Sequence, residues 1–239
     1  MVLIQLTSYI TLIFCIIFFI YTIKYKRYYL TSNKITTPDQ ALAELLRGNK
    51  KYNSGWHFIT KENRKSVATI QRPFAIVLSC SDSRVPTEII FNQLNLGSLF
   101  IIRNAGNVVD GVVLGSIEYG VSQLGALLII VLGHERCGAI TATVESIIEN
   151  KPEPAGHIKD IINAITPAAQ NILQKHTGKL IDEELKIEII QEAVHENVEL
   201  VMKSLPKYSQ IISDALAANK IKVVGAYYDL DNGNVQIIS

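Results

Sequence analysis

Cysteine is scarce in this chain: of 239 residues only Cys15, Cys80 and Cys137 carry a thiol. So sparse and odd a set excludes a disulfide-stapled scaffold and leaves Cys80 and Cys137 as thiols that stay reduced or hold a metal. An excess of charge is also missing. The net charge is +1, which gives a nucleic-acid-binding role no support. No internal repeat or low-complexity segment stands out. The glycine-rich stretch NAGNVVDGVVLG (104–115) invites a dinucleotide, but no Gly-x-Gly-x-x-Gly follows a strand-like run and no P-loop lysine is present.

Charge is absent altogether from residues 1–23. As a helix such a run is roughly 34 Å long, enough to cross a bilayer. It ends in Lys24, Lys26 and Arg27 interleaved with Tyr21, Tyr25, Tyr28 and Tyr29, a composition suited to a membrane–water interface. No basic residue precedes the run and no Ala-x-Ala site follows it, so a retained anchor is expected over a cleaved signal. The positive-inside rule then puts the main domain in the cytoplasm. The alternative is a periplasmic or secreted domain released by cleavage. The expected organisation is a hydrophobic segment at 1–23, a basic and polar linker at 24–37, and a main domain at 38–239.

What is plentiful is apolar residue, 48% of the chain, ample for a large core. Thr37-Pro38-Asp39 opens a predicted helix carrying Ala41, Leu42, Leu45 and Leu46, with Gly48 at its end. Continuous apolar runs at 74–79, 98–102, 126–132 and 221–227 predict four strands. Between them, 112–124, 139–149 and 182–205 predict helices. Runs apolar at every position, alternating with helices, predict an α/β fold whose mostly parallel sheet is flanked by helices and preceded by the hydrophobic N-terminal helix. Ligands of such sheets bind beyond the carboxyl ends of the strands.

Two of those strands run into dense chemistry. The first ends in Cys80-Ser-Asp82-Ser-Arg84, the third in His134-Glu-Arg-Cys137. If the strands are neighbours, two thiolates and one imidazole surround one point. That set suits tetrahedral Zn²⁺ with one position open, the catalytic pattern; four protein ligands would be structural. The spacing alone is a weak signal, because a lone buried cysteine is usually a small hydrophobe. On a strand-like segment residues 80, 82 and 84 point the same way, which would set Asp82 beside the metal and Arg84 near Asp82.

CSDSRVP (80–86), RNAGN (103–107), SIEYGVSQLGALLIIVLGHERCGA (116–139) and GAYYDLDNGNV (225–235) together resemble the β-class carbonic anhydrases. The resemblance runs from about residue 38 to the C-terminus and excludes the hydrophobic segment. It implies one Zn²⁺ per subunit held by Cys80, His134 and Cys137, and reversible hydration of carbon dioxide to bicarbonate and a proton through a zinc-bound hydroxide. It implies Asp82 and Arg84 as the catalytic pair. Gln71, Phe100, Ala105 and Tyr119 match the substrate pocket of the plant-like, open form, and Gly138 would present a backbone N–H beside the metal. Family members are built from homodimers, often paired into tetramers, with pockets at the dimer interface; the helix after Thr37 resembles the arm that wraps a partner subunit. Two other functions stay open: a carbonyl sulfide or carbon disulfide hydrolase on the same scaffold, and a non-enzymatic zinc-containing bicarbonate sensor. Glu135 and Arg136, a large ionic pair inside the metal-ligand turn, have no assigned role.

Overall fold

The computed structural model describes residues 14–16, 18–19, 61–93, 96–152 and 154–238. Most of the hydrophobic segment, the linker and the helix predicted after Thr37 lie outside the described residues. Residues 14–16 and 18–19 are helical, with Phe14, Ile16, Phe18 and Phe19 exposed. Among the described residues, no helix is long and apolar enough to cross a membrane. The chain divides into two units, Met1–Lys61 and Glu62–Ser239. The description below is of the second, with the short helix α1 (Lys61–Ser66) at its start.

Four apolar runs form parallel strands: β1 (Ala75–Cys80), β2 (Leu99–Asn104), β3 (Leu128–His134) and β4 (Lys222–Tyr228). A three-residue strand, β5 (Val235–Ile237), adds an antiparallel edge, giving the order β2-β1-β3-β4-β5. All six residues of β1 are buried, as expected of a central strand covered on both sides. A short helix α2 (Thr87–Ile90) lies between β1 and β2, and α3 (Gly111–Ser122) between β2 and β3. The long connection from β3 to β4 carries α4 (Gly138–Ile148), α5 (Ile158–Lys175), α6 (Glu183–Tyr208) and α7 (Gln210–Ala217).

Alternation along the strands sorts the core into layers. Ile76 and Leu78 of β1, with Ile129 and Val131 of β3, pack against Ile117 of α3, Val198 and Leu205 of α6 and Ile212 of α7. Val77, Leu132 and Ala226 face the other way, against Val85, Ile90 and Phe91. A third group joins Cys80 and Cys137 to α4, α5 and the first half of α6 through Ile140, Ile165, Ile189 and Val194. Helix α6 lies directly on β3 at Gly133: a Cβ there would sit 2.7 Å from Val198 Cγ2 and 2.9 Å from Val194 Cγ1. The residue before His134 is therefore a glycine because a helix occupies the space of its side chain.

The order of the strands fixes where a site can form. From β1 the chain moves to β2 on one side, then returns past β1 to β3 on the other. The carboxyl ends of β1 and β3 flank the point where the winding reverses, the crevice in which open α/β sheets bind ligands. Cys80 ends one of these strands and His134 the other.

Candidate metal centre

Cys80 stands at the end of β1, His134 at the end of β3, and Cys137 three residues on, as the N-cap of α4. Their ligand atoms all lie within 4.8 Å of one another, and all three residues are buried. The two sulfurs are 3.9 Å apart. His134 Nδ1 is 2.8 Å from the carbonyl of Glu135 and donates to it. That bond puts the proton on Nδ1 and leaves the Nε2 lone pair free. Nε2 is buried and has no hydrogen-bond partner. A fully buried imidazole nitrogen facing two thiols is costly unless something fills the space. Two soft sulfurs and one nitrogen, converging and deprotonatable, fit Zn²⁺.

The thiols share a proton. The Cys137 thiol donates to the Cys80 sulfur and, together with the Gly106 N–H, holds the Cys80 thiol below its ordinary range, against the cost of burial. Cys137, the donor of that bond and itself buried, is pushed up. A cation that displaces this proton recovers both sulfurs as ligands.

Asp82 and Arg84 meet on a turn, which corrects the strand geometry expected for residues 80, 82 and 84. The strand stops at Cys80, and Val85 N–H donates to Asp82 O at 3.0 Å. The Asp82 carboxylate closes on its own backbone, taking the Arg84 N–H at 2.9 Å, as aspartates in turns do. The guanidinium then grips both oxygens, Nε to Oδ1 at 3.0 Å and Nη2 to Oδ2 at 2.7 Å. This grip holds the Asp82 carboxyl well below the usual carboxylate range. Oδ2 lies 3.9 Å from His134 Nε2.

Three further groups support the centre and were not assigned from the sequence. Arg103, at the end of β2, donates to the carbonyls of Cys80 at 3.1 Å and Asp82 at 2.6 Å, fixing the path of the chain between them. Gly106 donates its N–H to Cys80 Sγ at 3.4 Å. Arg136, in the left-handed region at φ 51°, offers its carbonyl to Arg84 Nη2 at 3.2 Å. Its side chain pairs with both oxygens of Asp231, at 3.0 and 2.6 Å. Glu135 accepts from Arg136 at 3.1 Å and from Leu230 N–H at 3.1 Å. Glu135 and Arg136 thus tie the ligand turn to the loop between β4 and β5. The carboxylates of Glu135, Asp229 and Asp231 lie close together, but these internal donors and the N–H groups of Asp231 and Asn232 account for them. Contacts spanning 95 residues, as these do, leave no local signal in the sequence.

The remaining predicted site residues divide. Ala105 follows β2 beside Gly106, and Gly138 is exposed at the first turn of α4 next to Cys137, so both flank the metal centre. Gln71 and Tyr119 do not. They line an open groove of about 890 Å³ with Phe74 and Leu127, at the amino ends of β1 and β3. The length of β1, roughly 16 Å, separates that groove from Cys80. Phe100 lies near the amino end of β2, with its ring 6.2 Å from that of Tyr119, and packs against the core.

Comparison with known proteins agrees with this geometry. Residues 75–235 match the family model described as carbonic anhydrase. Carbonic anhydrase 2 of Mycobacterium tuberculosis is 36% identical over 201 residues, covering 83% of this chain and 91% of the relative. The carbonic anhydrase of Mycolicibacterium smegmatis is 37% identical over 207 residues, covering 85% and 95%. Among solved structures, a Coccomyxa β-carbonic anhydrase in complex with acetazolamide superposes with a TM-score of 0.70 at 27% identity, covering 82% of this chain and 86% of that one.

Proposed function

The chain belongs to the β-class carbonic anhydrase family and is a carbonic anhydrase, and from that premise we propose that it catalyses CO₂ + H₂O ⇌ HCO₃⁻ + H⁺ at a zinc centre formed by Cys80, His134 and Cys137. The observation that carries this is the convergence of two buried thiols on an unpartnered imidazole nitrogen, beside a carboxylate held by arginine. Bound zinc supplies the Lewis acidity that makes water nucleophilic near neutral pH.

The chain's own residues orient and restrain. Asp82 Oδ2 accepts a hydrogen bond from the attacking water and turns an oxygen lone pair toward carbon dioxide. Arg84 occupies both carboxylate oxygens, so Asp82 stays ionised and cannot swing toward the donor atoms. Arg136 O and the Asp82 carboxylate together hold the guanidinium from two sides. The Gly138 N–H, exposed at the start of α4, is available to a bicarbonate oxygen.

Gln71, Phe100 and Tyr119 serve the pocket only from a second copy of the chain. Their position toward the amino ends of the strands supports a homodimer in which one subunit's groove edge covers the other's metal centre. Mixing inactive Gln71→Ala and Cys80→Ala chains tests this: refolded mixtures should regain activity, and mixtures that stay inactive would count against a shared pocket. Residues 1–23 serve as a retained membrane anchor with the catalytic domain in the cytoplasm. Their lack of charge and the exposed helical Phe14, Ile16, Phe18 and Phe19 support this. Release of the chain by alkaline carbonate washing would refute it.

The central test is stopped-flow carbon dioxide hydration from pH 6 to 9 with zinc content measured. Two thiolates leave more negative charge on zinc than three imidazoles would, so activity should rise above neutral pH. One zinc per chain with no turnover at any pH would sink the proposal. Carbonyl sulfide and carbon disulfide, assayed alongside, separate the hydrolase.

A further inference from the structure

The buried face of α6 is apolar except at one position. Ile189, Ala193, Val194, Val198, Val201 and Leu205 line it, and Asn197 sits among them at 3% exposure. An amide placed there is costly unless its hydrogen bonds are made. Its Nδ2 donates to the carbonyl of Gly106 at 3.0 Å, across 91 residues of sequence. The N–H of Gly106 in turn donates to Cys80 Sγ at 3.4 Å. Gly106 is left-handed, at φ 75° and ψ 16°. A Cβ on it would lie 2.7 Å from Ile165 Cδ1 and 3.2 Å from Ala139 Cβ, so the turn is wedged between α4 and α5 with no room for a side chain. One peptide group of Gly106 faces α6 and the other faces the sulfur.

We infer that Asn197 is a positioning residue of the metal centre: through Gly106 it aims a backbone N–H at Cys80 and so sets the donor strength of that sulfur. The inference rests on the proposed zinc site and deepens it. A hydrogen bond to a ligating sulfur draws charge from it and fixes the direction in which it faces the other donors. Without the Asn197 amide the Gly106 carbonyl loses its buried donor. The turn then relaxes and the N–H leaves the sulfur.

The test uses the full chain and two readouts besides activity: zinc affinity by chelator competition, and the thiolate-to-cobalt charge-transfer band of the cobalt-substituted protein. Asn197→Leu fills the volume without a donor, and Asn197→Ser is a milder change. Val201→Ala, on the same buried face, reports purely structural loosening. Both Asn197 variants should bind zinc about ten- to a hundredfold more weakly. Their band should move to lower energy, because a sulfur stripped of its N–H gives up charge more readily. Val201→Ala should lower Tm and move neither readout. Wild-type affinity and spectrum in a folded Asn197 variant would overturn the inference. So would an equal shift in Val201→Ala, or failure of both Asn197 variants to fold. A wild-type chain that takes up no zinc would instead overturn the reading of the centre itself, and this inference with it.

Discussion

Arg84→Ala tests the role proposed for the Asp82–Arg84 pair by removing the side-chain hold on the carboxylate. Arg84 gives Asp82 two side-chain hydrogen bonds, at 3.0 and 2.7 Å. A hydrogen bond to a charged group contributes about 1.5–3 kcal/mol. The Arg84 side chain is 51% exposed and Asp82 17%, so solvent screening cuts the pair to roughly 2 kcal/mol in total. At about 1.4 kcal/mol per factor of ten, that hold corresponds to roughly thirtyfold in the fraction of Asp82 turned the right way. The freed Oδ2 starts only 3.9 Å from His134 Nε2, close enough to compete for the point the donors share. Arg84→Ala should therefore keep one zinc per chain and lose about thirtyfold or more in kcat/KM. Arg84→Lys should recover little, since an ammonium cannot span both oxygens. Stopped-flow hydration with zinc content measured on the same sample is the assay. Near-wild-type turnover in Arg84→Ala, with zinc present, would refute the role given to the pair.

The same pair has a pH signature. The Asp82 carboxyl is held below its ordinary value in the folded chain, so its stabilisation is complete above the unfolded value of about 3.9 and fades as pH falls through the lower folded one. The stability gap between wild type and Arg84→Ala, measured on metal-free protein by denaturant titration, should be constant from pH 8 to 5 and shrink only below about pH 4; a gap that closes between pH 7 and 5 would contradict this. Gly133→Ala forces a methyl to within 2.9 Å of Val194 and Val198 and should cost about 1–3 kcal/mol. Calorimetry should show a Tm lower by roughly 2–12 °C, and an unchanged Tm would mean that α6 can lift off β3 freely. Cys137→Ser removes one of two sulfurs and should drop zinc well below one per chain by elemental analysis, with loss of activity; stoichiometric zinc in that variant would displace Cys137 from the ligand set.

The sheet was legible because its strands are apolar at every position, and each predicted run overlaps the observed strand to within two residues. What stayed hidden was short or interrupted. β5 has three residues, too few to show a period. α5 has Pro167 in its interior, which breaks the helical signal although burial of Ile165, Ala168, Ala169 and Ile172 holds the helix together. The clustering of Cys80, His134 and Cys137 was legible because each sits at or just beyond a strand end that can be read locally. The pairing of Asp82 with Arg84 was expected for a partly wrong reason: a turn joins them, not strand alternation. Asn197 had a faint signal, a lone polar residue at a buried period of α6, but its partner Gly106 is distant in sequence and only the tertiary fold pairs them. The groove with Gln71 and Tyr119 shows the limit of reading residues as a list, for a list cannot say that three members, Phe100 included, sit toward the opposite end of the sheet from the rest.

The register of the sheet couples its assembly to the chemistry. β1 pairs through Cys80 with Asn104 of β2, whereas its pairing with β3 runs only to Ser79 and Leu132. β3 continues to His134 on the support of β4, so its last residues overhang the end of β1. Cys80 lies in the notch this leaves, bounded on one side by the turn after β2 and on the other by the turn after β3. A slip of β1 by one residue would exchange its faces. Cys80 would then turn away from the Gly106 N–H that meets its sulfur, and Ser79 would occupy the notch. Backbone bonds at the amino end, Phe74 N to Ser98 O and Leu127 N to Phe74 O at 3.0 Å each, oppose the slip. At the carboxyl end Arg103 opposes it as well, by gripping the Cys80 carbonyl. Arg103 acts on backbone alone, yet it stands where an error of one residue would remove a member of the candidate metal centre. Its place in the RNAGN stretch, two residues before the turn that faces the sulfur, thus has a physical reason: the segment that completes the notch also locks the strand that fills it.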